Sequence, residues 1–405
     1  MESFGEGWRP VKATFHDRRE KARVPCPHYP YCFGCALIEF PYPEQLQKKR
    51  ERLVRAFAAY PSLDGVEVLP VIPSPKRFGY RARVKLVVRK TKGEVAAGLY
   101  VPGSHRVVDI SSCPVHPRPV NQVVAFLKRK ILGLGIVPYD ERYDTGQLRY
   151  LDLRYGFTQR EMTVTLVTRQ RLFPEGKELA RSLKRHFPFV LGVIQNVNEQ
   201  RGNVIWGERF FTIAGQNLIV EKIGTLQLGF PAGVFSQANP STAAKIYGKV
   251  IELAALTGKE NVVDLYCGAG PLALHLSSTA AAVWGIDDSE ISIATAKQNA
   301  RRNGISNCRF FSGDLAEKLN RVKQNLSEID LMTLNPPRKG VQPAAMEAIV
   351  HENAPRLIYV SCDPGTLARD LNRLVESGYT VRRVQPFDMF PQTEEVETVA
   401  LIEKR

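Results

Sequence analysis

The second half of the chain is a succession of short apolar runs, each ending in a polar residue and each followed by a helix-like stretch. Asn261-Val-Val-Asp-Leu-Tyr266 runs into Cys-Gly268-Ala-Gly270 and then a helical run at Leu272 to Leu276. Val283-Trp-Gly-Ile ends in Asp287, Phe310-Phe-Ser-Gly in Asp314, and Ile329-Asp-Leu-Met-Thr-Leu in Asn335-Pro-Pro-Arg338. Leu357 to Val360 stops at Ser361-Cys362-Asp363-Pro364, and a further helix opens at Thr366. Apolar runs alternating with helices predict a mostly parallel sheet covered on both faces. Ligands of such sheets sit beyond the carboxyl ends of the strands. The polar residues at those ends are therefore the first candidates for a site.

Each strand end carries a distinct chemistry. The glycines around Gly268, next to Tyr266, let a ligand approach the backbone closely. Asp287 follows Asp264 by 23 residues, where an acid is placed to bond ribose hydroxyls. No Gly-x-Gly-x-x-Gly phosphate cradle accompanies it, which favours S-adenosylmethionine over a dinucleotide. Asp314 is the expected adenine contact, and two prolines aim Asn335 into the crevice. Cys362 lies at the mouth on a rigid element, as a nucleophile must. A lone Cys at a strand end is ordinarily inert filler; its neighbours reverse that expectation.

The first half has a different texture. Cys26, Cys32 and Cys35 follow a Cys-x5-Cys-x2-Cys spacing in a Pro-rich loop, and Cys113 stands 78 positions beyond Cys35. Four soft thiolates suit zinc or an iron–sulfur cluster. The second Cys-x2-Cys knuckle of a zinc ribbon is missing, and three close ligands with a distant fourth favour a 4Fe–4S cluster, with zinc or unmetallated thiols as alternatives. Pro43 to Ala58 reads as an amphipathic helix. Phe78 to Arg89 reads as a strand with Ala82, Val84, Leu86 and Val88 on one face and Arg81, Arg83 and Lys85 on the other. The latter are expected on a solvent face that tracks phosphates. Arg149–Arg154 with Met162–Val167, and Val193–Asn198 with Asn203–Trp206, read as hairpins. The expected organisation is an N-terminal segment with the cysteine loop and a helix over 1–60, a central α+β RNA-binding domain over 61–228 that lends Cys113, and a Rossmann-like α/β catalytic domain over 229–405.

Net charge is +15, and Lys76 to Lys130 alone holds 13 Lys and Arg against two acids. Such a concentration points to a polyanionic partner. No apolar run approaches the roughly 20 residues that span a bilayer, and the first residues lack the pattern of a signal peptide. Seven unevenly spaced cysteines argue against a disulfide framework. A cytoplasmic, monomeric protein is expected.

Taken together, these motifs resemble the RNA 5-methyluridine (uracil-C5) methyltransferases. The resemblance runs from Cys26 to Glu397. It implies S-adenosylmethionine as methyl donor, RNA as substrate, and Cys26, Cys32, Cys35 and Cys113 as ligands of a 4Fe–4S cluster. Phe235-Ser-Gln237-Ala-Asn239 is similar to the family's Phe-x-Gln-x-Asn segment, which puts Gln237 by the cofactor and Phe235 against the flipped base. The Ser-Cys-x-Pro-x-Thr-Leu-Ala-Arg-Asp run implies Cys362 as nucleophile. Phe390-Pro-Gln-Thr-Glu-Glu-Val-Glu397 implies Glu397 as general base, and Arg338 is the candidate contact to O4 or a phosphate. There are three departures. Only 25 residues precede Cys26, so an N-terminal TRAM-type barrel is expected to be absent; Asn335 stands where many members have Asp; and Glu395 replaces the usual His. The first two resemble the shorter branch that modifies 23S rRNA, the uracil-747 type, with uridine 54 of tRNA as the alternative. Rival readings are an exocyclic-amine methyltransferase, which needs no Cys and places an aromatic where Arg338 stands, a DNA cytosine-C5 enzyme, and a non-catalytic iron–sulfur RNA-binding protein.

Overall fold

In a computed structural model, residues 24–405 are described apart from Lys92, Asn203 and Ser327. Residues 1–23 of the expected N-terminal segment lie outside the described residues, as does Asn203 in the second expected hairpin. The cysteine loop leads into helix α1 (Tyr42–Phe57), which has a proline in its first turn, where the missing N–H removes no helical bond. The chain then builds β1 (Arg83–Thr91), β2 (Glu94–Tyr100), β3 (Val107–Asp109), α2 (Arg118–Gly133), β4 (Leu148–Gly156), β5 (Glu161–Thr168), α3 (Glu175–His186), β6 (Val190–Val197) and β7 (Arg209–Gly215). These strands form one sheet in the order β3-β2-β1-β4-β5-β6-β7. Only β5 and β6, joined through α3, run parallel within it. The expected β4–β5 hairpin is present. The partner of β6 begins at Arg209 rather than in the 203–206 stretch.

A two-stranded ribbon, β8 (Ile219–Ile223) with β9 (Leu226–Phe230), leads into α4 (Pro240–Ala254). The C-terminal half follows as β10 (Asn261–Leu265), α5 (Pro271–Leu276), β11 (Ala282–Asp287), α6 (Glu290–Arg302), β12 (Cys308–Ser312), α7 (Leu315–Lys323), β13 (Leu331–Leu334), α8 (Pro343–Glu352), β14 (Arg356–Ser361), α9 (Pro364–Glu376), β15 (Tyr379–Phe387) and β16 (Glu397–Lys404). Strand order is β12-β11-β10-β13-β14-β16-β15. The first five strands are parallel, and β16 runs antiparallel between β14 and β15. Side chains of α7, α8 and α9 pack on one face and those of α4, α5 and α6 on the other. The fold is thus the mixed α/β architecture expected. The order reverses between β10 and β13, the switch point at which such sheets open a crevice.

Helix α1 is packed into the core of the C-terminal half, with Leu53 and Phe57 among the apolar residues of the α7–α9 layer. Beyond α1, Leu69 and Ile72 donate backbone hydrogen bonds to Val384 and Pro386 of β15 at 3.0 and 2.9 Å. This partly covers a sheet edge that would otherwise present unpaired backbone groups. Among the described residues no helix is long and apolar enough to cross a membrane.

Candidate active site

The mouth of the crevice is built by backbone devices visible in the sequence. Asp363 caps α9, its carboxylate accepting from Thr366 N–H at 2.9 Å, and Pro364 opens the first turn. These two residues fix the chain direction directly after Cys362. Behind it, the buried Asp370 carboxylate accepts from the Tyr359 hydroxyl at 2.7 Å and from Val341 N–H at 2.8 Å. That joint ties β14 and α9 to the loop after Asn335-Pro-Pro.

Glu397 reaches Cys362 through strand pairing. In the β14–β16 ladder Ser361 lies opposite Thr398. One step further along the two strands, Cys362 and Glu397 stand at the same end of the sheet. Cys362 is half-buried and Glu397 is 3% exposed. Burial pushes the Cys362 thiol up to about 11; the nearby Glu397 charge adds to this and the Arg338 guanidinium opposes it. Burial likewise pushes the Glu397 carboxyl up to about 7, countered by a hydrogen bond with Gln237 and by Arg338, and reinforced by Glu395. Thiol, carboxyl and guanidinium therefore act on one another. A carboxyl near 7 is matched to proton transfer at neutral pH. Gln237, expected by the cofactor, is a buried hydrogen-bond partner of Glu397. Phe235, two residues away, is 63% exposed, so its ring is free to stack.

At the switch point, Tyr266 and Gly268 both adopt positive φ, +60° and +55°, a turn that lifts the chain off β10. A Cβ added at Gly268 would meet nothing within 4 Å, so the backbone is open on that side. The Asp287 carboxylate at the end of β11 accepts from Gly268 N–H at 2.9 Å and Ser289 N–H at 3.0 Å, and burial pushes its acidity down. Asn335 N–H bonds Leu265 O at 3.2 Å across the switch point. An open glycine turn beside a carboxylate with a polar amide opposite suits a ribose and amino-acid ligand, and these residues fit S-adenosylmethionine. Asp314 is exposed, and one of its oxygens caps α7 at Glu317 N–H, 3.0 Å.

The four N-terminal cysteines come together. Each is half-buried and unbridged. The Cys35 thiol is pushed up to about 12 by burial and then by the neighbouring charges of Cys113, Cys32 and Cys26; Cys113 is pushed up to about 11, in part by Cys26 and Cys32. His28 Nε2 accepts from Ser112 N–H at 3.2 Å, and the Asn121 amide brackets the Cys113 backbone at 3.2 and 3.0 Å. Among the described residues no group of three or more His, Cys, Asp or Glu side chains is arranged to hold a metal ion. Four thiols near one another are soft donors, and the expected 4Fe–4S cluster is not shown by their arrangement.

The cationic row is only partly on a solvent face: Arg81 and Lys85 are half-buried and Arg83 is buried. Arg83 is 9% exposed and pairs with Asp152 at 3.0 Å, with a second bond to Val234 O at 3.3 Å. Lys85 lies opposite Asp152 on β4 and is pulled down to about 8 by burial and then by Arg83. Both cations stand near the Trp206 ring, at 5.4 and 5.3 Å. Arg81 lies by the cysteine loop, where its charge opposes the rise at Cys35, and 5.7 Å from the Phe390 ring. Two-residue alternation identified the face but not what covers it. With the neighbouring buried Arg154, which donates to Pro231 O at 3.0 Å and Val234 O at 2.6 Å, Arg83 holds the segment leading to Phe235 and Gln237.

Sequence reasoning passed over the network behind Glu397. The Lys49 ammonium and Asp388 carboxylate are both fully buried and paired, Lys49 also donates to Phe390 O at 3.0 Å, and Tyr42 Oη donates to Asp388 at 2.7 Å. Gln45 and the Leu37 N–H bond Gln392 at 2.9 Å, and Tyr80 Oη bonds Pro391 O at 2.9 Å. The loop from Asp388 to Val396, which delivers Glu397, is gripped by α1 and the cysteine loop. A lysine in the apolar stripe of α1 was the available signal.

The profile of the tRNA (uracil-5-)-methyltransferase family matches residues 41–405. The chain is 40% identical over 395 residues to an uncharacterised RNA methyltransferase of Geobacter sulfurreducens, covering 98% of this chain and 80% of the relative. It is 38% identical over 386 residues to one of Halalkalibacterium halodurans, covering 95% and 83%. Among solved structures it is similar to the Pyrococcus abyssi tRNA (uracil-54, C5)-methyltransferase in complex with S-adenosyl-L-homocysteine, with a TM-score of 0.74, 29% identity, and coverage of 92% of this chain and 86% of that one. With the profile spanning nearly all of the described chain and the strand-end thiol, carboxyl and glycine turn in place, the chain belongs to the tRNA (uracil-5-)-methyltransferase family of S-adenosylmethionine-dependent RNA methyltransferases.

Proposed function

We propose that the protein methylates C5 of one uridine in a structured RNA through a covalent adduct between Cys362 and C6 of the base. The observation that carries this is geometric: Ser361 pairs with Thr398, so Cys362 and Glu397 each stand one residue from that pair where β14 meets β16, and Arg338 is held 3.1 Å from Glu395 two residues before Glu397. C5 of uracil is a weak nucleophile. Addition of the Cys362 thiolate forms an S–C6 bond and sends the ring π pair toward C5 and O4 as an enolate. S-adenosylmethionine, when bound by Gly268, Asp287, Asn335 and the Tyr266 turn, supplies an electrophilic methyl group for C5. Glu397 then takes the C5 proton; the C–H pair restores the C5–C6 double bond and Cys362 leaves as thiolate. Gln237 keeps Glu397 oriented, Arg338 lends positive charge to the thiolate and the O4 enolate, and exposed Phe235 stacks on the extruded base.

The four thiols of Cys26, Cys32, Cys35 and Cys113 are proposed to hold a 4Fe–4S cluster, which would tie the loop to the rest of the chain. The proposed substrate is 23S rRNA of the uracil-747 type, supported by Asn335 ahead of Pro-Pro. The likeness to the Pyrococcus enzyme favours a second reading, uridine 54 of tRNA. Mapping 5-methyluridine in total RNA with and without the gene decides between them: loss of one site in 23S rRNA is expected, and loss confined to tRNA would replace that substrate.

A further inference from the structure

Arg338 is the cation that acts on both Cys362 and Glu397, yet its side chain is 67% exposed. A long exposed side chain does not hold one place unaided. Its backbone is anchored: the Thr366 hydroxyl in the first turn of α9 donates to Arg338 O at 3.2 Å, and Arg369 donates to Lys339 O at 3.0 Å. Its guanidinium is held at one point, Nη2 lying 3.1 Å from Glu395 Oε1. The other Glu395 oxygen lies 3.8 Å from Arg52 of α1, and Arg52 also donates to Glu394 O at 2.9 Å. Glu395 thus stands between two arginines, one on the Asn335 loop and one on α1, two residues before Glu397.

We propose that Glu395 is a positioning residue for the reaction: its carboxylate fixes the Arg338 guanidinium beside Cys362 and Glu397, so that positive charge stands where the thiolate forms. The inference rests on Cys362 being the nucleophile. The charged groups facing the site are Glu397 and Asp363 beside Cys362, Arg338 across from it, and Lys49 and Arg52 from α1, the last two next to Glu395. As a bare charge, Glu395 works against the chemistry, since a carboxylate near Glu397 and Cys362 disfavours ionisation of both. Its tether on Arg338 works in favour. The two roles predict opposite signs when the charge is removed.

The test uses the full chain, S-adenosylmethionine and an RNA transcript substituted with 5-fluorouridine; once C5 is methylated its fluorine cannot leave as a proton and the adduct persists. The rate of denaturation-resistant adduct formation is followed against pH for the parent protein, Glu395→Gln, Arg338→Gln and the double variant. Glu395→Gln is expected to move the midpoint of the rate profile up by about 1 pH unit, as does loss of a nearby cation from a thiolate. Arg338→Gln moves it in the same direction, and adding Glu395→Gln to it produces no further rise. A downward move in Glu395→Gln, or no move, overturns the positioning role while leaving Cys362 in place. If the parent protein forms no adduct at any pH, the proposed function fails first and this inference with it.

Discussion

Glu397→Gln offers a prediction whose size follows from where the residue sits. Glu397 is 3% exposed, and burial lifts its carboxyl from 4.5 to about 7. An acid whose folded value exceeds its unfolded one holds its proton more tightly in the fold. Its contribution is fully present below about 4.5 and is lost as pH rises through about 7. At about 1.4 kcal/mol per unit, the ionised carboxylate above neutrality weighs against the fold by about 3 kcal/mol. Glutamine has the same shape and no charge to desolvate. The variant is therefore expected to be more stable than the parent by about 3 kcal/mol at about pH 8.5, and by only about 1 kcal/mol at about pH 5. Denaturant unfolding of both proteins at both pH values measures this directly. The same variant should form the RNA adduct and fail to resolve it, so stability is gained as turnover is lost. An equal stability difference at the two pH values would refute the reasoning, because it would mean that Glu397 does not change charge between them.

Lys49→Met removes the partner of fully buried Asp388 and leaves a carboxylate unpaired in the core, which should destabilise by about 3–5 kcal/mol. It should also slow adduct formation by displacing the loop that delivers Glu397; a loss under about 1 kcal/mol would show that the pair is not the anchor described. Anaerobically purified protein should be brown and carry about four irons per chain, with colour lost in Cys113→Ser. A colourless, zinc-loaded protein would replace the cluster with the zinc alternative.

Local chemistry was legible in the sequence wherever the chain itself enforces it. The expected helix over Pro43–Ala58 is α1 at Tyr42–Phe57, set by a first-turn proline and apolar spacing. The turn after Cys362 follows from Asp363-Pro364, and the glycine turn after β10 from Gly268 and Gly270. What was not legible depends on pairings between distant parts of the chain. The antiparallel insertion of β16 beside β14 pairs Ser361 with Thr398 and so brings the residues next to them, Cys362 and Glu397, to the same end of the sheet, and no spacing in the sequence specifies that register. Arg83 and Lys85 alternate with apolar residues as an exposed strand would, yet the cover comes from Asp152, Trp206 and the Val234 segment. Two-residue periodicity says which residues share a face and nothing about what lies against it. Glu395 was visible only as a departure from a pattern; its partners, Arg338 and Arg52, lie 57 and 343 positions away and meet only in the fold.

Whether sulfur joins the pyrimidine is the most direct question to put to this protein, and intact mass spectrometry after incubation with S-adenosylmethionine and 5-fluorouridine RNA answers it. A species heavier by the RNA and one methyl group, with the crosslinked peptide containing Cys362 and the species absent from Cys362→Ala, is the predicted result. Normal 5-methyluridine formation by Cys362→Ala on unsubstituted RNA would contradict the account.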